Sequence, residues 1–379
     1  MREFKVNNLI TLRLIDGKTV LFVNNREFKQ CKILLLNVPI DDETTEGFES
    51  IDEISEYLDG KMESGHVDIS PEEEFMGHCS NLQVWAENYY DTDLLHRSLA
   101  FPLLKALSEG GDEFAKQKFR EEISRRYKYG NETVRKFLTE EGYLSCLTNE
   151  EILSWIVSPK EAIFMEKIME FGEQYAITSS FEKLKGMDPR GKTYFSMRDV
   201  KIVELEIVIN DYLDRIPREI ELLDNLRTLN ISTQERYDVN LFEEEFCLPS
   251  LKYLTIFCYS AATIPDSFHY FPNLKYLYIR GFERFNRPTL SFENFFANLP
   301  KLESLSLHYV ELEKIPDTIT KLKKLKKLSL TKTTLKTLPV SLICSLRFLR
   351  WLDIKYNDKL EIPPTKIEKL KKKIKMFKY

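Results

Sequence analysis

The chain has 379 residues, 43% hydrophobic and 30% charged, with 13 glycines and 15 prolines; this excludes a collagen-like, linker-like or largely disordered polymer and leaves material for about two to three packed domains. The net charge of −5 is uneven: residues 1–178 hold 20 Lys and Arg against 34 Asp and Glu, residues 321–379 hold 18 against 4, so the molecule is not a uniformly basic binder. No apolar run approaches the ~18 residues of a membrane span, the start lacks a signal-peptide profile, and six scattered cysteines without a CxxC pair read as reduced thiols, so a cytoplasmic location is expected.

The first elements alternate. Residues 3–38 (KVNNLITLRLI, the turn Asp16-Gly17, KTVLFV, then KILLLNV) predict a hairpin and a further strand. Residues 42–68 are acidic, with one short helix near Ile51–Leu58, so 1–68 reads as a hairpin-rich start with an acidic linker. From Ser70 the pattern turns helical. Ser70/Glu73, Thr148/Glu151 and Ser158/Glu161 have capping-box spacing, and helices are predicted over 71–89, 93–108 (kinked or split at Pro102), 112–128, 132–141, 149–157 and 159–176. Residues 69–178 therefore form a helical layer, and 179–201 a junction that caps the second half of the chain.

Two sets of residues in these parts carry the pattern of chemistry. Gly186-Met-Asp-Pro-Arg-Gly191-Lys192-Thr193 matches the phosphate-binding loop GxxxxGK[ST]. That loop needs a buried strand before it and a helix after it; SSFEKLK precedes it and only nine residues separate it from the next element, so it reads as a chance match. His78-Cys79 and His96 have the residue types of a nucleophile and base or of a partial metal site. Cys79 also falls among Phe75, Leu82, Val84 and Trp85 on one helix, which makes it a core residue. No enzyme, cofactor or metal is expected.

The second half repeats. L-x-x-L-x-L starts at Ile202, Leu226, Leu251, Leu274, Leu302, Leu325 and Leu349, with spacings of 24, 25, 23, 28, 23 and 24 residues. A proline-marked turn comes after it at Ile216-Pro217, Ile264-Pro265, Ile315-Pro316, Leu338-Pro339 and Ile362-Pro363. This pattern resembles the leucine-rich repeat, and more narrowly the intracellular Ras-group class with an LPxxI turn. The implied fold is an α/β solenoid of about seven repeats with parallel strands on a concave face over 202–364, preceded by an α+β, mainly helical N-terminal domain. The stretch Gly77–Leu107 is similar to the N-terminal region of predicted archaeal leucine-rich-repeat proteins and implies no chemistry. The repeat's asparagine survives at Asn210 and Asn357; Gln234, Tyr259, Phe282, Val310 and Thr333 replace it, and the long unit from Leu274 is expected to bulge with an extra helical turn.

In this register the x positions line the concave sheet. They include Tyr253, Phe257, Tyr276, Tyr278, Arg280, His308, Tyr309, Lys327, Trp351, Lys355 and Tyr356, large aromatics flanked by cations, which is the composition of a binding hot spot. The bland alternative is that aromatics merely fill a flat sheet. A protein partner is expected, and the Ras-group resemblance implies a small GTPase or another signalling protein. The tail Thr365–Tyr379 is basic, with Ile367, Leu370, Ile374 and Phe377 at helical spacing; it reads as a cap on the last repeat, with peripheral membrane contact as the alternative. No nucleic-acid-binding module is present.

Overall fold

The computed structural model describes residues 2–29, 47–59, 69–170, 174–177, 192–198, 200–210, 213–233, 239–241, 247–259, 262–264, 271–282, 287–290 and 295–379. The chain divides into two compact units, Met1–Thr148 and Asn149–Tyr379.

In the first unit, β1 (Arg2–Lys5), β2 (Ile10–Ile15), β3 (Lys18–Val23) and β4 (Arg26–Glu27) form an antiparallel meander in chain order. Asp16 and Gly17 take φ of 50° and 74°, the left-handed pair that suits the strand twist of a two-residue hairpin. The N-terminal alternation breaks at Asn7, whose Oδ1 accepts from the amides of Leu9 and Ile10 at 2.9 and 2.8 Å and so starts β2 afresh. The expected strand KILLLNV lies outside the described residues.

Helices α1 (Ile51–Asp59), α2 (Pro71–Glu87), α3 (Arg97–Glu109), α4 (Glu113–Tyr129) and α5 (Glu132–Glu140) come next. The capping box of α2 forms in both directions between Ser70 and Glu73. α3 starts at Arg97 and not at residue 93, because His96 caps it, accepting from the Ser98 amide at 3.3 Å, and it is not split at the buried Pro102. α2 packs on β2 and β3, and α3 on α4. Ile10, Leu12, Trp85, Phe101, Leu104, Leu107 and Ile123 are fully buried there, each side chain contributing roughly 1.5–3 kcal/mol of apolar burial.

A charged cluster runs through this core. The Asp52 carboxylate, fully buried, accepts from the Arg97 backbone and guanidinium at 2.9 and 3.1 Å and from Arg126. Arg126 also pairs with Asp93, and Arg125 with Asp93, Asp91 and Glu122. The Thr92 hydroxyl donates to Glu122 at 2.6 Å. Burial would raise the Glu122 carboxyl, but hydrogen bonds from Arg125, Thr92 and Lys118 outweigh it and hold the group below its ordinary value.

The second unit opens with α6 (Asn149–Glu151), continued as a π-turn over Ile152–Ile156, and α7 (Pro159–Glu170). These helices belong with the repeats and not with the helical layer, which moves the boundary from residue 178 to 148. Glu161 is one tie between them: only 2% exposed, it accepts from the Ser158 hydroxyl at 2.6 Å and from the Ile202 amide at 3.0 Å, joining α7 to the first repeat strand. The helix predicted to reach residue 176 ends at Glu170, and Gln174–Ile177 is a strand, β5.

A ten-stranded sheet then runs through β5, β6 (Lys192–Arg198), β7 (Lys201–Ile209), β8 (Thr228–Thr233), β10 (Tyr253–Cys258), β12 (Tyr276–Arg280), β14 (Ser304–His308), β15 (Lys327–Thr331), β16 (Trp351–Asp353) and β17 (Met376–Lys378). β6 is antiparallel to β7, with a bulge at Ser196/Met197; from β7 onward each strand pairs parallel with the next. The return segments carry the short strands β9 (Val239–Asn240), β11 (Ala262–Ile264) and β13 (Thr289–Leu290), which pair in parallel, and helical turns that include α8 (Val340–Ser345) and α9 (Pro364–Lys373). Every L-x-L pair points inward. Leu205, Leu229, Leu254, Leu277, Leu305, Leu328 and Leu352 form one column and Ile207, Ile231, Ile256, Ile279, Leu307, Leu330 and Ile354 the next, none more than 2% exposed. This parallel arrangement fits a repeat solenoid. In the long unit from Leu274, the described part of the surplus holds β13 and a 3-10 turn at Phe295–Asn298.

Asn357 does what the repeat's asparagine is expected to do. It accepts from the Thr333 amide and hydroxyl at 2.8 and 2.7 Å and donates to the Leu330 and Ile354 carbonyls, both at 2.7 Å. In the middle of the stack the same position holds Tyr259 and Phe282, whose rings stack at 4.0 Å and 12°.

Candidate protein-binding face

The strand register sorts the outward side chains into three rows. The first runs Glu204, Thr228, Tyr253, Tyr276, Ser304, Lys327, Trp351, Met376. The second runs Glu206, Asn230, Thr255, Tyr278, Ser306, Ser329, Asp353, Lys378, and the third Val208, Ser232, Phe257, Arg280, His308, Thr331. Neighbouring strands lie about 4.8 Å apart, so side chains within a row touch.

The aromatic centre is organised. Tyr253 and Tyr276, 44% and 39% exposed, stack at 4.7 Å with their planes 7° apart. Phe257 meets the Tyr278 ring edge-on at 5.9 Å, and Tyr278 lies 5.2 Å from the His308 ring. Arg280 places its guanidinium 5.1 Å from the Phe282 ring. His308 bonds through Nδ1 to the Thr331 hydroxyl. Burial, reinforced by Arg280 and opposed by Asp353, lowers its pKa, so the ring is neutral at neutral pH. At the next edge Trp351 sits between two ammonium groups, Lys327 at 5.4 Å and Lys378 at 4.9 Å.

Tyr309, Lys355 and Tyr356 lie past the strand ends. Tyr309 and Tyr356 take φ of 53° and 61°, as does Lys332 between them at 54°. The Lys332 ammonium donates to the Tyr309 hydroxyl and lies 5.8 Å from the Tyr356 ring. Gly281 occupies the equivalent place one repeat earlier, where a Cβ would stand 2.4 Å from the Tyr309 carbonyl oxygen. All eleven expected residues thus lie on the sheet face or its adjoining turns. Glu204 and Glu206 were missed although the same register reaches them in IVELEI; burial raises the Glu206 carboxyl. Met376 and Lys378 were missed because the tail contributes a strand, with Ile374 and Phe377 in the repeat's spacing.

The other candidates separate. Lys192 and Thr193 of the GxxxxGKT motif begin strand β6, where a phosphate loop needs a helix N-terminus, and Thr193 is fully buried. Gly186–Gly191 lie outside the described residues. Burial pushes the Cys79 thiol up to about 11, the wrong direction for a nucleophile. His78 is buried beside Glu74 at 3.4 Å, whereas His96 caps α3 and lies 3.6 Å from Asp52. In the tail, Leu370 and Ile374 are buried against the last repeat, so the apolar stripe is already used.

Residues 300–359 match the leucine rich repeat family, so this part of the chain consists of leucine-rich repeats. No curated protein is matched. Among solved structures, a leucine-rich-repeat protein of Leptospira interrogans is 27% identical over 50% of this chain, with TM-score 0.35; the chain spans about half, 53%, of that protein. The leucine-rich repeat domain of the type III effector XopL is 17% identical over 65% of this chain and 73% of its own, TM-score 0.32. The structure of PEPR1–AtPEP1 is 20% identical over 46% of this chain and 24% of its own, TM-score 0.31.

Proposed function

We propose that the chain is a non-enzymatic recognition module that binds a protein partner on the outward face of its parallel sheet. The observation that carries this reading is the stacked, exposed Tyr253–Tyr276 pair at the centre of three side-chain rows. Neither ring is needed by the core, which the Leu and Ile columns fill on the opposite face. Rigid aromatics held by strand register lose little conformational entropy on binding and supply large contact area. The Ras-group resemblance points to a small GTPase or another signalling protein as the partner class. A cytoplasmic setting agrees with the five described cysteines, all of them free. Membrane contact through residues 365–379 is the lesser reading, because Leu370 and Ile374 are buried and the segment exposes only Met376 and Tyr379 as large apolar side chains among its lysines.

The test is capture of a partner from source-cell lysate by the wild type and by a Tyr253→Ala/Tyr276→Ala/Trp351→Ala variant of unchanged thermal midpoint. A protein enriched by the first at least tenfold over the second supports the reading, since two or more hot-spot side chains at about 1–2 kcal/mol each are removed. Equal capture by both overturns it.

A further inference from the structure

The residue immediately before each repeat strand, from Arg227 on β8 to Lys375 on β17, lies on one rim of the sheet. Backbone bonds link these positions from one repeat to the next, from Lys252 to the Arg227 carbonyl (2.9 Å) through Arg350 to the Lys326 carbonyl (2.9 Å). All are cations except Glu303, which Lys275 and Lys326 neutralise from both sides at 3.6 and 2.5 Å. On the last three strands a second cationic column joins the first. Lys323, Arg347 and Lys372 stand three residues ahead of Lys326, Arg350 and Lys375, and all six are exposed. Apart from Lys326, none of the six has a carboxylate in ion-pair reach among the described residues.

This two-column patch adjoins the first row of the face, where Lys327, Trp351 and Met376 continue it. We propose that the corner formed by β15–β17 takes an acidic polypeptide segment of the partner, laid along the rim with the aromatic row beside it as its apolar anchor; this rests on the sheet-face reading above. Charge complementarity argues for the acidic chain. A single-stranded nucleic acid needs bare ring faces for its bases, but at this corner Trp351 has an ammonium group on either side. A bilayer needs a cluster of apolar side chains to insert, and the patch offers the scattered Phe348 and Met376, with the Arg347 guanidinium 5.4 Å from the Phe348 ring.

The probe is fluorescein-labelled polyglutamate, titrated with full-length protein by anisotropy at low and at physiological salt. The Lys323→Glu/Arg347→Glu/Lys372→Glu variant leaves the Lys326–Glu303 pair intact; the Gln variant of the same three residues serves where reversal lowers the thermal midpoint. We expect salt-sensitive binding that weakens at least about tenfold on reversal and less on neutralisation. Absence of binding, equal binding by all three proteins, or tighter binding of phosphatidylserine vesicles or a DNA duplex than of polyglutamate refutes the proposal. If lysate capture is lost in the aromatic variant but kept in the charge-reversed one, this proposal fails and the sheet-face reading stands. Capture kept in the aromatic variant removes the sheet-face reading itself.

Discussion

Replacing Asn357 by Ala removes four hydrogen bonds of 2.7–2.8 Å and a longer one to the Lys355 carbonyl at 3.5 Å. The Thr333 amide and hydroxyl lose their acceptor, and the Leu330 and Ile354 carbonyls lose a donor, in residues 7%, 1% and 2% exposed. A made hydrogen bond nets about 1 kcal/mol, and a buried group left unsatisfied costs about 1–3 kcal/mol. Partial rehydration of the Thr333 hydroxyl lowers the total, so about 3 kcal/mol is expected for the last repeats. A chain of two units and many repeats does not unfold in one step, so a midpoint reports the chain as a whole and does not localise the loss to the last repeats. Hydrogen exchange resolved by peptide does localise it. Amides of β15 and β16 should exchange roughly a hundredfold faster, while those of α2–α5 keep their rates. Asn357→Asp keeps the acceptor and loses the donor bonds, so its effect should be intermediate. If exchange in β15 and β16 rises less than tenfold, or rises equally across the chain, the asparagine does not hold the coils together.

Asp52→Ala takes from Arg126, only 3% exposed, the buried one of its two carboxylate partners and leaves it Asp93, so it should destabilise the first unit by about 1–3 kcal/mol, read as urea unfolding followed at its tryptophan, Trp85. An unchanged midpoint in urea refutes the role given to the cluster. Because Glu122 is held below its ordinary value of 4.5, its contribution is complete above that pH and is lost as pH falls through the lowered folded value; acid should therefore loosen the first unit only below that ordinary value, and Glu122→Gln should flatten that dependence. Gly281→Ala drives a methyl group into the Tyr309 carbonyl oxygen and the Pro288 ring, at 2.4 and 2.6 Å, so it should lower the thermal midpoint and weaken any ligand of the face, by about 1–3 kcal/mol in stability. A neutral outcome there means that the neighbouring turn yields without strain.

The repeat register was fully legible, because a Leu column and its outward neighbours alternate with period two and recur every 23 to 28 residues; Tyr253, Tyr276 and Trp351 came from counting alone. What counting does not reach is pairing across sequence distance. Asp52 meets Arg126 across 74 residues, and nothing local in either segment announces it. The tail strand β17 was hidden by a lysine-rich helical stripe in which Ile374 and Phe377 fit two periods at once. The same ambiguity extended the helix at residue 159 over Gln174–Ile177, where Gly172 marks its end in the sequence. The register sets Tyr253 beside Tyr276, but the stacking of their rings at 4.7 Å is set by side-chain torsions that no sequence pattern encodes.

The spine of the repeats changes its chemistry along its length. At Asn357 it is a chain of directional polar bonds; at Tyr259 and Phe282 it is a pair of stacked rings. These two kinds of adhesion respond oppositely to cold, because apolar association weakens on cooling whereas hydrogen bonds do not. The stack therefore carries a built-in thermal asymmetry. On cooling, the Tyr259–Phe282 ring contact should weaken while the Asn357 bonds hold, just past the strands that present Tyr253 and Tyr276.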